Sequence, residues 1–312
     1  MIKYYVTKNG SLENIEEPIK DCWINMVHPT EKEISEITSL YHIEEDDLRA
    51  ALDEEEASRL TREDDYTLVL VDIPSVEEKN GKKRFITLPM GIILAKDAII
   101  TICLETTPIL NQAIKKKNAD TKFRARFILQ ILLENAKQYL KNLRQISKQS
   151  EQLEAVLHKD IDNATLLEMM ELGRSLLYFM TSLKGNNAVI EKLTKMPSIT
   201  KYEEDEDLLE DLLVECRQAT EMADTYSSVI NGTMDGYASV ISNNMSMVQK
   251  FLATASVIIA VPSIIFDAYG MNISANGGVP FITSKHAFFI IVAIAMIAMV
   301  IAQQYLKHKK NY

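Results

Sequence analysis

Polar side chains interrupt an apolar segment between Phe251 and Tyr269, near the carboxyl end of the sequence. At about 100° per helical residue, the carboxylate of Asp267 shares one narrow face with small or polar residues, which are Gln249, Ser256, Ala260 and Ser263. Thr254 falls on the far side, where its hydroxyl is expected to bond a backbone carbonyl of its own helix. Such a face either packs against another helix or lines a water-filled path. The carboxylate of Asp267 favours the second interpretation, a water-filled path.

The segment leads into the loop YGMNISANGG, from Tyr269 to Gly278, which carries no acidic residue. A second apolar segment runs from Ala287 to Tyr305. Both segments are long enough to cross a hydrocarbon core of roughly 30 Å. We therefore predict spans at 251–270 and 286–305 and an outer loop at 271–285. One chain with two spans cannot enclose a path, so a path requires a ring of several copies.

The lysines predict the orientation in the membrane. Lys250 precedes the first span, Lys307, Lys309 and Lys310 lie in the tail at 306–312, and the loop carries only Lys285. Cytoplasmic loops hold an excess of lysine and arginine, so both termini are expected in the cytoplasm of a multi-pass cell-membrane protein. The three cysteines are far apart in sequence, which suits small core residues in a reducing compartment.

Other chemistries find little support in the sequence. A net charge of −10 makes nucleic acid an unfavourable partner and suits metal cations or basic proteins. The five histidines show no metal-ligand spacing, and there is neither a glycine-rich phosphate loop nor a recognisable serine or cysteine nucleophile. We therefore predict no enzyme, no catalytic residue and no ATP-driven pump.

Residues 1–120 have the pattern of a cytosolic α/β domain. Strands are predicted at 23–27, 67–73, 84–94 and 98–104, and Asn80-Gly81 predicts a hairpin between the second and third. Thr30 and Glu33 are placed as a capping box at the start of a helix. An antiparallel or mixed sheet flanked by helices is expected.

Residues 121–250 have the three-and-four spacing of long helices. Asp162-Asn163 is expected to separate the first helix from the second, and Met196-Pro197-Ser198 to end the second. No proline follows between Tyr202 and Pro262. Either several helices with unseen breaks or one helix of about 100 Å fits this stretch. We favour one helix that continues into the transmembrane domain at 251–312.

The sequence Gly270-Met271-Asn272 after a tyrosine, at the outer end of the first of two carboxyl-terminal spans, resembles the GMN signature of CorA-type magnesium channels. Trp23-Ile24-Asn25, Ser242-Asn243 and the basic tail KHKK also resemble the family in order and character. The resemblance covers nearly the whole chain.

This resemblance implies a funnel-shaped homopentamer in the lipid bilayer, whose first spans line a pore for divalent cations. It implies that Asn272 forms a selectivity ring at the outer mouth, where amide oxygens hold a hydrated Mg²⁺ through its waters. Gly270 would allow a tight turn, and Met271 would support it. In this family, cytosolic Mg²⁺ that binds at acidic subunit interfaces closes the channel. Asp211 resembles the aspartate at that interface. The acidic run 203–207 is expected to be a solvated helix face.

The sequence departs from the family at two points. The loop after Asn272 lacks the acidic residue that many relatives carry, and Asp267 stands where relatives have a small residue. We expect Asp267 to face the pore and to replace the missing attraction. Co²⁺ and Ni²⁺ are possible further cargo. Two alternatives remain: a proton-coupled Zn²⁺ transporter of the same superfamily, and a membrane-anchored scaffold or sensor without transport.

Overall fold

A seven-stranded sheet is the centre of the amino-terminal part of the chain. The computed structural model describes residues 1–8, 10–79, 81–115, 120–197, 199, 202–271 and 285–309. The chain divides into two units, Met1–Met234 and Asp235–Tyr312.

The strands of the first unit are β1 (Ile2–Lys8), β2 (Ser11–Ile15), β3 (Cys22–Val27), β4 (Arg59–Arg62), β5 (Tyr66–Lys79), β6 (Lys82–Ala95) and β7 (Ala98–Cys103). Their order in the sheet is β2-β1-β3-β7-β6-β5-β4. β3 and β7 pair in parallel, whereas the other neighbouring strands pair antiparallel. The expected mixed sheet is therefore confirmed.

The sequence predicted β3, β5, β6 and β7 but not β1, β2 or β4. The hairpin between β5 and β6 is confirmed, and Gly81 in its turn has φ of +73°, a conformation that suits glycine. β2 and β4 form the two edges of the sheet, and their short sequences SLENI and RLTR are largely polar. Strands of this kind owe their conformation to pairing with a neighbour rather than to their own pattern.

The helices of the chain are α1 (Glu31–Tyr41), α2 (Glu45–Ala50), α3 (Pro108–Lys115), α4 (Arg124–Leu157), α5 (Asn163–Thr194), α6 (Glu203–Gly270) and α7 (Ala287–Lys309). The predicted capping box is present at α1. The Thr30 hydroxyl accepts from the Glu33 N–H at 3.4 Å, and the Glu33 carboxylate accepts from the Thr30 N–H at 2.7 Å. Asp162 caps α5 at the predicted break, where its carboxylate accepts from the Ala164 and Thr165 N–H groups.

Helices cover both faces of the sheet. α1 and α2 pack on one face, through buried residues such as Ile34, Ile37 and Leu48. α3, α4, α5 and the first part of α6 pack on the other. There, Trp23 is fully buried between Tyr5 and Phe127, each with its ring centroid 5.1 Å away, and its indole N–H donates to the Thr101 hydroxyl at 2.9 Å.

β5 continues past the end of β4, and an asparagine side chain completes its free edge. Both backbone groups of Asp72 face away from β6: its N–H donates to Asn186 Oδ1 at 2.8 Å, and its C=O accepts from Asn186 Nδ2 at 2.8 Å. Asn135 and Tyr139 donate to the same carbonyl. A helix side chain thus takes the place of a neighbouring strand and ties α4 and α5 to the sheet.

α6 is one helix of 68 residues, as the sequence favoured over several shorter ones. At about 1.5 Å per residue it is roughly 100 Å long. It contains Pro262, whose ring nitrogen cannot donate to the carbonyl four residues earlier. The helix belongs to both units, because the division falls between Met234 and Asp235. The second unit consists of the rest of α6 and of α7 within the described residues.

Candidate ion path in the second unit

α6 and α7 each contain a window long and apolar enough to cross a membrane. The predicted spans therefore coincide with helices. Hardly any of either window is buried within the chain. Apolar surface this exposed requires a lipid environment or other protein chains around it.

One face of each helix is partly covered. On α6 the half-buried residues within the span follow helical spacing: Thr254, Ala255, Ile258, Val261, Pro262, Ile265 and Tyr269. On α7 the covered face is rich in alanine, and Ala295 is almost fully buried. Both faces belong to one unit, and each is covered by other residues of its own chain.

The polar stripe of α6 lies on the opposite side. Its members are all exposed within the chain: Gln249, Ser256, Ala260, Ser263 and Asp267. The face that packs in this unit is therefore centred about 180° from the stripe. The interpretation of the stripe as a seam against α7 is not supported by this placement, and the interpretation as one wall of a path is compatible with it.

The hydroxyls of the span use their protons within the helix. Thr254 donates to the Lys250 carbonyl at 2.7 Å, which confirms the bond expected from the sequence. On the stripe, Ser256 donates to the Leu252 carbonyl at 2.9 Å and Ser263 to the Ile259 carbonyl at 3.0 Å. A hydroxyl whose proton is engaged still offers its oxygen lone pairs. The stripe thus presents oxygen acceptors, the ligand type that hard cations take.

Asp267 lies in the last turn of α6 and is exposed. It makes no ion pair or hydrogen bond with any described residue. The last turn contains no basic residue. The carboxylate is therefore close to the negative end of the helix dipole without a compensating charge from its own chain's described residues.

The residues of the GMN sequence are only partly described. Gly270 is the last residue of α6, and a Cβ added there would meet no atom of the described residues within 4 Å. Met271 is 62% exposed, so the described part of its own chain packs little against it. Asn272 lies outside the described residues. Their expected roles as turn, support and filter therefore remain predictions.

α6 is exposed on all sides where it approaches the membrane-length window. Every side chain from 238 to 253 is exposed, including Met245, Val248 and Leu252. Serine, asparagine and valine are frequent in this stretch, and they are weak helix formers. An isolated helix of such composition is marginal in water, so this stretch depends on contacts that its own chain's described residues do not provide.

In the first unit, Asp211 lies on α6 and is exposed. No group of three or more His, Cys, Asp or Glu side chains gathers into a metal site within the described residues. A regulatory cation at Asp211 would therefore need ligands from another copy of the chain.

The acidic run 203–207 is not uniformly solvated, and Asp205 is the exception. Its side chain is 2% exposed and accepts from Arg126 Nε at 2.8 Å. Arg126 belongs to the first turn of α4 and also lies 5.0 Å from the ring centroid of Phe123 and 6.0 Å from that of Tyr202. The sequence does not predict this ion pair, because its partners are far apart in the chain and no local pattern marks Arg126.

Comparisons with known proteins agree on one family. The family model described as "CorA-like Mg2+ transporter protein" matches residues 20–307. A cobalt/magnesium transport protein CorA of Methanocaldococcus jannaschii is 28% identical over an alignment of 310 positions, which covers 95% of this chain and 95% of that protein. A magnesium transport protein CorA of Campylobacter jejuni is 22% identical and covers 96% of this chain and 94% of its own.

The fold also has a counterpart among solved structures. The complete structure of the CorA magnesium transporter from Methanocaldococcus jannaschii superposes with a TM-score of 0.82. The alignment covers 98% of this chain and 96% of that one, at 24% identity. The sheet, the long helices and the two carboxyl-terminal helices thus form an arrangement that a known transporter also has.

Proposed function

Because the chain belongs to the family of CorA-like Mg²⁺ transporter proteins, we propose that it carries Mg²⁺ across the membrane into the cytoplasm. The family consists of transporters and not enzymes, and this chain is a multi-pass membrane protein whose first unit is cytoplasmic. The observation that carries the proposal is the stripe of oxygen acceptors on the exposed face of α6, which ends at the GMN sequence.

The ion path is shared between copies. The described residues of one chain leave the stripe exposed and provide no second wall for it. They also provide no packing partner for residues 238–253. A homopentamer that forms a funnel, with one α6 from each copy around a central axis, would meet both needs. The stripe would face the axis, and apolar flanks such as Ile259, Ile264 and Phe266 would contact neighbouring helices or lipid.

We assign the selection between cations to the GMN residues. Asn272 would present its amide oxygen to the ion from each copy, while Gly270 and Met271 set the course of the chain at the end of α6. Mg²⁺ dehydrates reluctantly and usually keeps several waters. A neutral ring that bonds those waters selects the hydrated ion by size without holding it too tightly.

Cytosolic Mg²⁺ is proposed to close the path. Asp211 is an exposed carboxylate on the long helix that continues into the span. A cation shared between Asp211 and carboxylates of a neighbouring copy would relieve their repulsion and hold adjacent α6 helices in one arrangement. The transported ion would then regulate its own entry.

Mg²⁺ is proposed as the main cargo, with Co²⁺ as a second and Ni²⁺ as a further ion to be tested. The curated relative from Methanocaldococcus jannaschii is named for both cobalt and magnesium. Zn²⁺ is less favoured, because the family model and both curated relatives are described by magnesium or cobalt.

The test is cation flux into liposomes that contain the purified full-length chain. Mg²⁺ uptake is followed with a trapped indicator while Co²⁺, Ni²⁺ or Zn²⁺ competes outside, with and without a proton uncoupler. We expect Mg²⁺ uptake that Co²⁺ inhibits and that the uncoupler leaves intact when the membrane potential is clamped. Uptake of Zn²⁺ that collapses with the uncoupler would favour the zinc alternative. Absence of any flux would favour a scaffold or sensor.

A further inference from the structure

Two exposed lysines mark the cytoplasmic ends of the membrane helices. Lys250 is the only charged residue between Asp235 and Asp267, and α7 carries no charged residue before Lys307. Lys250 directly precedes the apolar segment of α6, and Lys307 follows that of α7. The charge at this boundary of the second unit is therefore entirely positive within the described residues.

The two lysines lie at matching depths in the membrane. From Lys250 to Gly270, and from Ala287 to Lys307, each helix advances about 30 Å at about 1.5 Å per residue. This length equals the thickness of a typical hydrocarbon core, roughly 30 Å. Both ammonium groups are therefore placed where the acyl chains of the cytoplasmic leaflet end and the headgroups begin.

Aromatic side chains at the same level also indicate the headgroup region. Phe251 follows Lys250 directly and is 70% exposed, and Tyr305, two residues before Lys307, is 66% exposed. Tyrosine is enriched at membrane–water interfaces, because its ring suits the acyl chains and its hydroxyl suits water. A lysine beside such a ring keeps its aliphatic stem in apolar surroundings and extends its ammonium group toward the lipid phosphates.

Neither ammonium group has an anionic partner among the described residues, since no ion pair of Lys250 or Lys307 occurs there. On α6 the nearest acidic residues, Asp235 and Asp267, are each more than about 20 Å away along the helix axis. α7 contains no acidic residue. In an assembly each copy adds the same positive charges, so their repulsion grows unless anions from elsewhere lie between them.

We propose that Lys250 and Lys307 form a docking surface for the phosphate groups of anionic lipids in the cytoplasmic leaflet. Charge complementarity favours this occupant, because headgroups at this depth supply the anions that the second unit itself lacks. The inference depends on the cytoplasmic position of these helix ends and not on the proposed transport. Bound lipid neutralises the lysines of neighbouring copies and holds α6 at a fixed depth where it enters the membrane.

The test compares two spin-labelled lipids in vesicles that contain the full-length chain. Phosphatidylglycerol and phosphatidylcholine, labelled on the same acyl chain, are added in turn to phosphatidylcholine vesicles. Electron spin resonance then gives the fraction of each lipid that the protein immobilises. We expect the parent to hold phosphatidylglycerol about fivefold more strongly, which corresponds to about 1 kcal/mol. Because salt screens exposed charges, about 1 M KCl should weaken this preference.

Substitutions assign the preference to the two lysines. Lys250→Gln and Lys307→Gln should each reduce it, and the double glutamine variant should bring it below about twofold. Lys250→Arg combined with Lys307→Arg keeps both charges and should keep the preference. Lys192→Gln, at an exposed lysine of the first unit, is the control for a change in net charge and should behave like the parent.

Several results would overturn the proposal. Equal immobilisation of the two lipids by the parent would mean that other anions occupy the lysines. A preference that survives the double glutamine variant, or that Lys285→Gln at the outer end removes instead, would place the surface elsewhere. A preference that millimolar inorganic phosphate abolishes at constant ionic strength would assign the lysines to a soluble anion. If the double glutamine variant fails to assemble, the single variants decide by the same criteria.

Discussion

At the scale of single residues, three aspartate side chains lie in different surroundings. Asp267 is an exposed carboxylate at the end of an apolar helix, without a partner among the described residues. Asp205 is buried against Arg126. Asp72 is half-buried between the sheet and α5, where burial raises the pKa of its carboxyl and a hydrogen bond from Ser182 opposes that rise. The charge therefore has a different consequence at each position: an exposed anion without a described partner at Asp267, a tie between helices at Asp205, and a contribution to stability that depends on pH at Asp72.

The half-buried Asp72 is expected to make the stability of the first unit depend on pH. Because its pKa is raised in the folded state, the folded chain holds the proton more tightly than the unfolded chain. This contribution to stability is complete below the ordinary pKa of an aspartate and is lost as the pH rises through the raised value. Asp72→Asn should remove the loss, since an amide oxygen can still accept from Ser182.

The measurement is thermal unfolding of the full-length chain between pH 4 and pH 8, followed by the fluorescence of Trp23, the single tryptophan. The gain in Tm of Asp72→Asn over the parent should grow with pH. Asp64→Asn, at an exposed aspartate, is the control and should show no such trend. A gain that is the same at both ends of the range would show that Asp72 does not titrate differently on folding.

The prediction on ion selectivity concerns Asn272. Asn272→Ala removes the amide oxygen that would hold the hydration shell of Mg²⁺, and we expect Mg²⁺ uptake to fall at least 100-fold, on the order of 2.7 kcal/mol or more. Size-exclusion chromatography should show unchanged assembly, because a single polar side chain after the end of α6 is not expected to hold the helices together. Asn276→Ala, four residues further in the loop, is the control. Parental uptake by Asn272→Ala would refute the filter assignment.

How far the residues could be predicted from the sequence depends on the range of the signal. The phase of Asp267, Ser263 and Ser256 follows from helical periodicity, and the structure leaves that face exposed. The acceptor character of the serines follows from bonds within four residues. Arg126 and Asp205 are 79 residues apart, so only the folded arrangement of α4 and α6 brings them together.

At the scale of elements, the helices were easier to predict than the edges of the sheet. The length of α6 was recognisable because no proline or cluster of turn residues interrupts it before Pro262, and its α5 neighbour begins at a recognisable Asp162 cap. β1 lies between two antiparallel partners and β4 against one. Their pairing, rather than their sequence, defines them, and the short edge strands carry hardly any apolar alternation.

The start of α6 is expected to depend on Arg126. Removing one partner of a fully buried ion pair costs about 3–5 kcal/mol. Because the Arg126 side chain is 21% exposed whereas Asp205 is buried, Arg126→Ala should lower the unfolding free energy of the first unit by less than this, about 1–3 kcal/mol. This amount includes the loss of packing on Phe123 and Tyr202. Chemical denaturation followed by Trp23 fluorescence measures this change.

The exposed Arg49 provides a matched control. It pairs with the carboxylates of Glu31 and Glu45, just as Arg126 pairs with Glu204 beside Asp205. Arg49→Ala should lose much less stability, because water replaces an exposed ion pair well. Asp205→Asn combined with Arg126→Ala should recover part of the loss by removing the buried charge. Equal losses for the two arginine variants would contradict the importance of burial.

The proposed regulation by Mg²⁺ would also act on α6. If a cation bridges Asp211 to a neighbouring copy, Mg²⁺ should protect the assembled protein from proteolysis, and Asp211→Ala should need about tenfold more Mg²⁺ for half-protection. Glu210→Gln, at the adjacent exposed acid, is the control. Asp224 and Asp235 are exposed aspartates further along the same helix and are substituted in parallel. A loss of protection at one of them, with Asp211→Ala unaffected, would move the site along the helix.

At the scale of the whole molecule, the sequence already indicated two units in different environments. Charge is concentrated before residue 250 and nearly absent from the spans, so a cytosolic unit and a membrane unit could both be expected. The sequence of one copy does not specify the contacts that residues 238–253 would make in the proposed assembly. Those contacts depend on which helix faces meet between copies. A single chain constrains them only through the helix faces that it leaves exposed.

The last prediction concerns the direction in which α6 faces within the assembly. Met245 has the phase of the stripe, whereas Met247 lies about 160° from it at 100° per residue. If the stripe surrounds a shared axis, cysteines placed at position 245 of neighbouring copies should approach one another during thermal fluctuation of the ring. They would then reach the Cα–Cα distance of a disulfide, which is usually about 4.4–6.8 Å. Met245→Cys should then form covalent dimers under mild oxidation, while Met247→Cys should not. The background is low because the three natural cysteines are buried. Non-reducing electrophoresis of the full-length protein in liposomes gives the readout, and native mass spectrometry gives the number of copies, for which we expect five. Dimers from Met247→Cys alone would mean that α6 turns its opposite face to the axis, and the path would then have to be assigned to other residues.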